Sequence, residues 1–218
     1  MRDQWSGDGG DLLKWGALVH IAQREKLSAI LHVALYRPDD EWATVKSSRG
    51  AVEIPSEVLR HFRNLDNLHR LSKPSGIRIE VFKAPFKDRS VYFEKVRRRI
   101  ESYREVSLVV FLDPDAGVAP NVAGPEHVTE GELRFVYDVL KPGDVLACYQ
   151  RSRRLKGWRG DRRRAFTLAL GVLSQDVEVF DSELTRDGVL FSVTRSQDTD
   201  DGGESGESTG SPPGQTTG

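Results

Sequence analysis

The chain has 218 residues, of which 38% are hydrophobic and 30% charged, and its formal net charge is −1. This length suits one domain with a real core, and no apolar run approaches the roughly 18–20 residues that a bilayer-spanning helix needs. The N-terminal segment “MRDQWSGDGG” lacks the apolar stretch of a secretory signal. The single Cys148 cannot form an internal disulfide, and together with only five histidines it argues against a structural zinc site. We therefore expect a cytoplasmic protein without a membrane partner.

Charge is distributed unevenly along the chain. Residues 196–218 are rich in Gly, Ser and Thr, contain no large apolar residue, and carry five acids and no base. Such a segment cannot bury enough apolar surface to offset its conformational entropy, so we predict a disordered acidic tail. Without those five negative charges, residues 1–195 carry a formal charge of +4. We predict that 1–195 form a single α/β domain, and that the tail either aids solubility or competes with an anionic ligand.

The chain reads as an alternation of helices and strands. Apolar residues at helical spacing predict helices over 10–26, 55–72, 88–105, 130–141 and 161–174. Short apolar or alternating runs predict strands over 28–38, 76–84, 106–114 and 143–151, with two more inside 176–195. Thr129 and Glu132 have the spacing of a capping box. Residues 39–54 are polar and indicate a loop or a hairpin.

This order of elements predicts an α/β fold with a mostly parallel sheet. The continuous apolar run 106–112 is typical of a central parallel strand that is covered on both faces. Asp187-Gly188 predicts a turn between the last two strands, which would then form a C-terminal antiparallel hairpin. The whole layout resembles the Rossmann-like methyltransferase arrangement.

Polar residues stand at the ends of three predicted strands. These ends carry Tyr36 and Arg37, then Asp113, Pro114 and Asp115, then Tyr149, Gln150 and Arg151. Ligands of open α/β sheets bind beyond the carboxyl ends of the strands, so these side chains form a candidate site. The competing interpretation is a set of polar turns in which the acids hydrogen-bond local amides.

Two short motifs resemble a known family. The helix start “GDLLKW” (10–15) and the strand end “DPDA” (113–116) are similar to motifs of the bacterial ribosomal RNA adenine-N6 methyltransferases and the three-cysteine-motif partner proteins. The resemblance implies S-adenosylmethionine as cofactor, near Asp11, Lys14 and Tyr36. It also implies catalytic roles for Asp113, Pro114 and Asp115, with Asp113 orienting the acceptor amine.

The sequence departs from that family at two points. The first strand is followed by “LYRPDDEW” (35–42), which has no glycine, whereas a cofactor turn of this fold needs one for close approach of the ligand. The family's second proline and its aromatic residue are replaced by Asp115 and Ala116. The resemblance therefore requires Tyr149 or Trp158 to stack on the target base.

A basic segment begins at the end of the strand 143–151. Residues 151–164 contain eight bases and one acid, Asp161, around Trp158. Guanidinium groups bind phosphates and tryptophan stacks on bases, which favours RNA or DNA as the partner of Arg151–Arg164. A second basic run lies at 95–99. His127 follows the loop after Asp115 and is the histidine that we expect near the site.

Two other functions stay open at this point. Asp113 and Asp115 offer hard oxygen ligands for Mg²⁺, with Glu80 as a third, which would make the protein a metal-dependent nuclease. A non-catalytic domain that binds nucleic acid or a protein would need no cofactor, and the missing glycine favours it. The non-catalytic interpretation predicts that Asp113→Asn and Asp115→Asn leave binding intact.

Overall fold

The computed structural model describes residues 9–37, 44–47, 50–53, 65–119, 123–152, 156–182 and 188–197. Its α-helices are α1 (Gly9–Arg24), α2 (Ser72–Ser75), α3 (Arg89–Glu101), α4 (Glu130–Val139) and α5 (Trp158–Leu170). Its strands are β1 (Ala29–Val33), β2 (Thr44–Ser47), β3 (Gly50–Glu53), β4 (Arg78–Phe82), β5 (Leu108–Leu112), β6 (Gly117–Val118), β7 (His127–Val128), β8 (Val145–Arg151), β9 (Glu178–Phe180) and β10 (Gly188–Thr194).

Six strands form the central sheet in the order β4-β1-β5-β8-β10-β9. The strands β4, β1, β5 and β8 run parallel, whereas β10 is antiparallel to both β8 and β9. This arrangement confirms the predicted α/β class of Rossmann-like methyltransferase type, with a mostly parallel sheet and an antiparallel C-terminal pair. Two small sheets, β2-β3 and β6-β7, lie outside it.

Helices cover both faces of the sheet, and β5 shows how the sequence arranges this. Val109 and Phe111 belong to the cluster that Leu18 of α1 completes on one face. The alternate residues of the same strand, such as Val110, belong to the cluster formed with α3, α4 and α5 on the other face. Side chains of a strand alternate between faces, so a strand buried on both sides must be apolar throughout, as β5 is.

Local signals in the sequence fix several helix ends. The Thr129–Glu132 capping box is present at the start of α4, as predicted. The Asp88 side chain accepts a hydrogen bond from the Val91 N–H and so caps α3. Helix α5 begins at Trp158, three residues before the predicted start, because Gly157 in a left-handed conformation supplies its N-cap.

One predicted helix is wrong where the structure describes it. Within the predicted helix 55–72, Leu65–Leu71 forms a 3₁₀-helix, which continues into α2. Leu65, Leu68 and Leu71 are three residues apart, a spacing that also fits the three-residue turn of a 3₁₀-helix. Residues 54–64 lie outside the described residues. The polar stretch 39–54, predicted as a loop or a hairpin, contains the antiparallel pair β2-β3.

Two further expectations concern the ends of the chain and the membrane. Residues 198–218 lie outside the described residues, so the acidic tail remains a prediction. Among the helices that the structure describes, none combines the length and the apolar character needed to span a membrane.

Candidate functional site

The strand ends that the sequence singles out meet at one edge of the sheet. Strand β1 pairs with β4 on one side and with β5 on the other, all in parallel. The strand order therefore reverses between β1 and β5, and the crevice beyond such a reversal is where open α/β sheets bind ligands. We call this place the switch-point crevice; Arg37 lies on its β1 side and Asp115 on its β5 side.

A network of charged groups lies buried beneath this edge. The Lys14 ammonium is 3.0 Å from Asp11 Oδ1 and 3.2 Å from Asp113 Oδ1. It also lies 4.6 Å from the centre of the Tyr149 ring. All four residues are at least nine-tenths buried. The structure thus brings together four residues that the sequence predicted for the site, Asp11, Lys14, Asp113 and Tyr149.

His32 completes the network, although its place inside an apolar strand predicts only a structural role. Its Nε2 lies 3.0 Å from Asp113 Oδ2, and the residue is fully buried in the middle of β1. The ring stacks on Phe111 at 5.0 Å and meets Trp15 edge-on at 5.5 Å. No described group hydrogen-bonds to its Nδ1. A histidine interrupting a fully apolar strand was the signal available in the sequence.

The electrostatics keep Asp113 and Lys14 charged. Burial by itself would raise the pKa of Asp113, but the Lys14 charge and the His32 hydrogen bond outweigh it and lower that pKa to about 2. Burial would likewise lower the pKa of Lys14, yet Asp113 and Asp11 raise it above its usual value. Neither group therefore changes its protonation state near neutral pH, so neither suits general acid–base chemistry.

Cys148 is not available as a nucleophile. It is fully buried in β8, and burial, with the negative charge of Asp113, raises the pKa of its thiol well above the usual value. The thiol therefore stays protonated, whereas the thiolate is the reactive form.

Gln150 fixes the loop that follows Asp113. Its Oε1 accepts a hydrogen bond from the Val118 N–H at 3.0 Å, and its Nε2 donates to the Ala116 carbonyl at 2.9 Å. Gly117 has a φ of +95°, and a Cβ there would lie 2.3 Å from Gln150 Oε1. The amide of Gln150, predicted to bind substrate, is thus fully buried and holds the loop 113–119.

The switch-point crevice is bridged by an ion pair. Arg37 Nη2 donates to Asp115 Oδ2, and the two side chains are 18% and 15% exposed. Pro114, between the two acids, is buried. Asp113 and Asp115 therefore point to different partners: the first to the interior network and the second across the crevice.

The other predicted site residues are more dispersed. Tyr36 is half-buried, packs with Ala34 and Leu65, and its carbonyl accepts from the Phe86 N–H. His127 lies in β7 beside Gly117, with Nδ1 3.0 Å from Glu126 Oε1. The remaining two flank the start of α5: Arg151 is exposed at the end of β8, and Trp158 is half-buried against the core.

The residues do not form the metal site of the nuclease interpretation. Glu80 hydrogen-bonds Arg99 and Tyr103 on the α3 side of the sheet, and Asp113 is occupied by Lys14 and His32. Within the described ranges, no three His, Cys, Asp or Glu side chains are grouped so that they could hold a metal ion. The suggestion that Glu80 joins Asp113 and Asp115 is wrong, because strand position alone does not reveal which partner a side chain takes.

The turn after β1 does not fit an adenosyl cofactor. The Ala34 N–H donates to the Phe82 carbonyl at 3.2 Å and the Leu35 N–H to the Tyr92 hydroxyl at 3.1 Å. Both residues of the turn are fully buried, and Leu35 takes a φ of +44°, a conformation that suits glycine. The Ala34 and Leu35 N–H groups, the first two backbone donors after β1, are therefore used inside the protein.

The segment that follows β4 does not fit an adenosyl cofactor either. Phe82 is followed by Lys83, Ala84 and Pro85, none of which is the acid that holds ribose hydroxyls in Rossmann-like sites.

Comparison with known proteins identifies no family. No protein-family model matches the chain, and no curated protein is significantly similar in sequence. Among solved structures, a DUF574 family protein from Streptomyces avermitilis is similar over 84% of this chain and 80% of its own, with 13% identity and a TM-score of 0.35. An O-methyltransferase family protein from Burkholderia thailandensis is similar over 84% of this chain and 58% of its own, with 13% identity and a TM-score of 0.37. Similarity at this level assigns no activity.

Proposed function

We propose that this protein binds nucleic acid without using an adenosyl cofactor. The surface concerned, here called the basic face, consists of Arg151, Lys156, Arg159 and Arg164. The observation that carries the proposal is that Arg151, Lys156 and Arg159 are exposed around the start of α5, beyond the carboxyl end of β8, and that Arg164 is exposed in the second turn of the same helix. Exposed cations in one place bind phosphates by releasing the counterions that surround them.

The second basic run of the chain, on α3, shows that arginines close together in the sequence can be paired with acids. On α3, Arg97 pairs with Glu94 and Glu101, and Arg98 also pairs with Glu94. Arg99 pairs with Glu80. Arg97 and Arg99, 33% and 36% exposed, are thus paired with acids of the same protein, so a run of arginines in the sequence does not by itself make a phosphate-binding surface.

Not every base of 151–164 belongs to the basic face. Arg163 Nη2 donates to the Val177 carbonyl at 2.8 Å, and Arg162 Nη1 lies 3.5 Å from the Val118 carbonyl, so both serve the fold. Arg159 makes an exposed ion pair with Asp181, which is of a kind that contributes little and exchanges readily. Residues 153–155 lie outside the described residues.

The start of α5 adds uncapped N–H groups and an aromatic ring. Gly157 is the N-cap and has no side chain to cap the first-turn N–H groups, and the exposed Asp161 in that turn offsets part of the positive end of the helix dipole. Trp158 is half-buried and carries the Arg159 guanidinium 5.6 Å from its ring. An aromatic surface beside cations suits stacking on an unpaired base, which favours single strands over duplexes.

The experiment is a titration of fluorescein-labelled 20-nucleotide single-stranded RNA with the full chain, followed by anisotropy. The test variant is Lys156→Gln/Arg159→Gln/Arg164→Gln. The matched control, Lys73→Gln/Lys87→Gln/Lys95→Gln, removes the same charge from exposed lysines elsewhere. We expect the test variant to bind roughly tenfold more weakly or worse, and the control to bind within about threefold of the wild type. Equal losses in both variants, or no binding by the wild type, would overturn the proposal.

A further inference from the structure

We propose that Arg37 is a phosphate anchor in the switch-point crevice and that Asp115 is its internal competitor. The ligand chemistry is a phosphate group, carried either by a bound nucleic-acid strand or by a free nucleotide. The first of these sources rests on the function proposed above, whereas the second does not.

The position of the pair supports a ligand site. Arg37 follows β1 and Asp115 follows β5, the two parallel strands between which the strand order reverses. Crevices of this kind are where ligands bind in open α/β sheets. The loop that carries Asp115 is held from beneath by Gln150, and the Ala116 N–H donates to the Glu126 carbonyl at 2.9 Å. The acid can therefore change its partner while the backbone of its loop stays in place.

Not every N–H group of the Arg37 guanidinium has a hydrogen-bond acceptor among the described residues. Nη2 donates to Asp115, but Nε is buried and has no acceptor among the described residues. A buried donor left without an acceptor is unfavourable, and Nε and Nη2 together form the edge of the guanidinium that binds two oxygens at once. A phosphate group offers that pair of oxygens. Its binding would satisfy Nε and displace the Asp115 carboxylate from Nη2.

Displacement is feasible because the pair is not deeply buried. Side-chain exposures of 18% and 15% leave the released carboxylate a short path to water. Asp113, two residues earlier, cannot act in the same way, because Lys14 and His32 hold it in the interior. Arg37 and Asp115 should therefore have opposite effects on binding, which a merely structural ion pair would not show.

The test compares Asp115→Asn with Arg37→Gln. We expect Asp115→Asn to bind about fivefold more tightly, because the competing charge of a partly exposed pair is removed. We expect Arg37→Gln to bind at least tenfold more weakly, with Arg37→Lys between it and the wild type because the charge remains and the planar fork is lost. The matched control is Asp138→Asn, which removes the same charge from an exposed pair with Arg134 and should change affinity less than twofold. Thermal unfolding of each variant verifies that it is folded.

Two probes distinguish the sources of the phosphate. Adenosine 5′-monophosphate is titrated by calorimetry, and the 20-nucleotide RNA by anisotropy. Opposite effects with RNA alone identify a strand phosphate as the ligand; opposite effects with the mononucleotide, whether or not RNA binds, identify a free nucleotide. If RNA binds through the basic face but the two variants change affinity in the same direction or not at all, this inference fails and the proposed function stands. If the wild type binds neither probe, both fail.

Discussion

Lys14 and Asp113 are 99 residues apart in the chain, yet the ammonium and the carboxylate lie 3.2 Å apart inside the protein. The pair joins α1 to the end of β5, one of the two inner strands of the parallel part of the sheet. It explains why the polar motif after β5 is conspicuous in the sequence: Asp113 is an interior anchor that ties a helix to the sheet.

Loss of the Lys14 charge should destabilise the protein strongly. In Lys14→Met, Asp113 and Asp11 stay buried without their cation, which costs on the order of 3–5 kcal/mol of unfolding free energy. Urea denaturation measures the change. Lys87→Met, at an exposed position, is the control and should lie within about 0.5 kcal/mol of the wild type. A loss below about 1 kcal/mol in Lys14→Met would show that the buried pair is not formed.

The Lys14–Asp113 pair also predicts that the free energy of unfolding depends on pH. The pKa of Asp113 is lowered from 3.8 to about 2 in the folded protein, so the unfolded chain binds more protons in that range. The stabilisation is complete above about pH 5 and is lost as the pH falls towards 2, amounting to roughly 2 kcal/mol. The measurement is the difference in unfolding free energy between wild type and Asp113→Asn from pH 2 to 6. A difference that does not change with pH would contradict this assignment.

A comparison of substitutions at Gly117 and Gly143 tests whether Gln150 holds the loop 113–119 in place. Both glycines have a positive φ, +95° and +89°, but a Cβ would meet Gln150 only at Gly117 and nothing within 4 Å at Gly143. Gly143→Ala should cost about 1–2 kcal/mol from backbone strain, and Gly117→Ala a further 1–3 kcal/mol from the clash. Chemical denaturation of both variants measures the difference. Equal losses would mean that Gln150 does not hold the loop.

The Ala34 and Leu35 N–H groups are hydrogen-bonded inside the protein, so we predict that adenosyl ligands leave its thermal stability unchanged. A ligand present at a hundredfold excess over its dissociation constant would stabilise the fold by about 2.7 kcal/mol, a shift of several degrees in Tm for a chain of this size. We expect S-adenosylmethionine and S-adenosylhomocysteine at 1 mM to shift Tm by less than about 1 °C, because they bind neither Ala34 nor Leu35 N–H groups. A clear, saturable shift would restore the methyltransferase interpretation.

The sequence predicts the elements whose pattern is local. The apolar runs of β1 and β5, the Thr129–Glu132 capping box and the antiparallel end of the sheet all follow from spacing and residue type within a short window. The 3₁₀-helix at Leu65–Leu71 does not, because leucines three residues apart fit both kinds of helix.

The candidate site is harder to predict because its contacts join distant segments. Asp113 and Tyr149 follow from the polar strand ends, and Asp11 and Lys14 from the resemblance of the helix start. Their burial as one network depends on how α1 lies on the sheet. A single histidine in an apolar strand usually indicates no more than a core position, so the sequence predicts a structural role for His32 and does not reveal its contact with Asp113. The arginines of α3 and α5 look alike in sequence, and only the structure shows what each one contacts. Those of α3 pair with Glu94, Glu101 and Glu80. Those of α5 contact Asp181 or backbone carbonyls, or are exposed as Arg164 is.

The most direct test of nucleic-acid binding by the basic face is the salt dependence of RNA affinity for the wild type and for Lys156→Gln/Arg159→Gln/Arg164→Gln. A plot of log affinity against log salt has a slope of about −0.7 for each phosphate contact with a single strand, so losing three contacts should flatten the slope by about 2. That flattening, absent from the Lys73→Gln/Lys87→Gln/Lys95→Gln control, is the predicted result. Parallel slopes for the wild type and the test variant would contradict the account, because the basic face would then make no phosphate contacts.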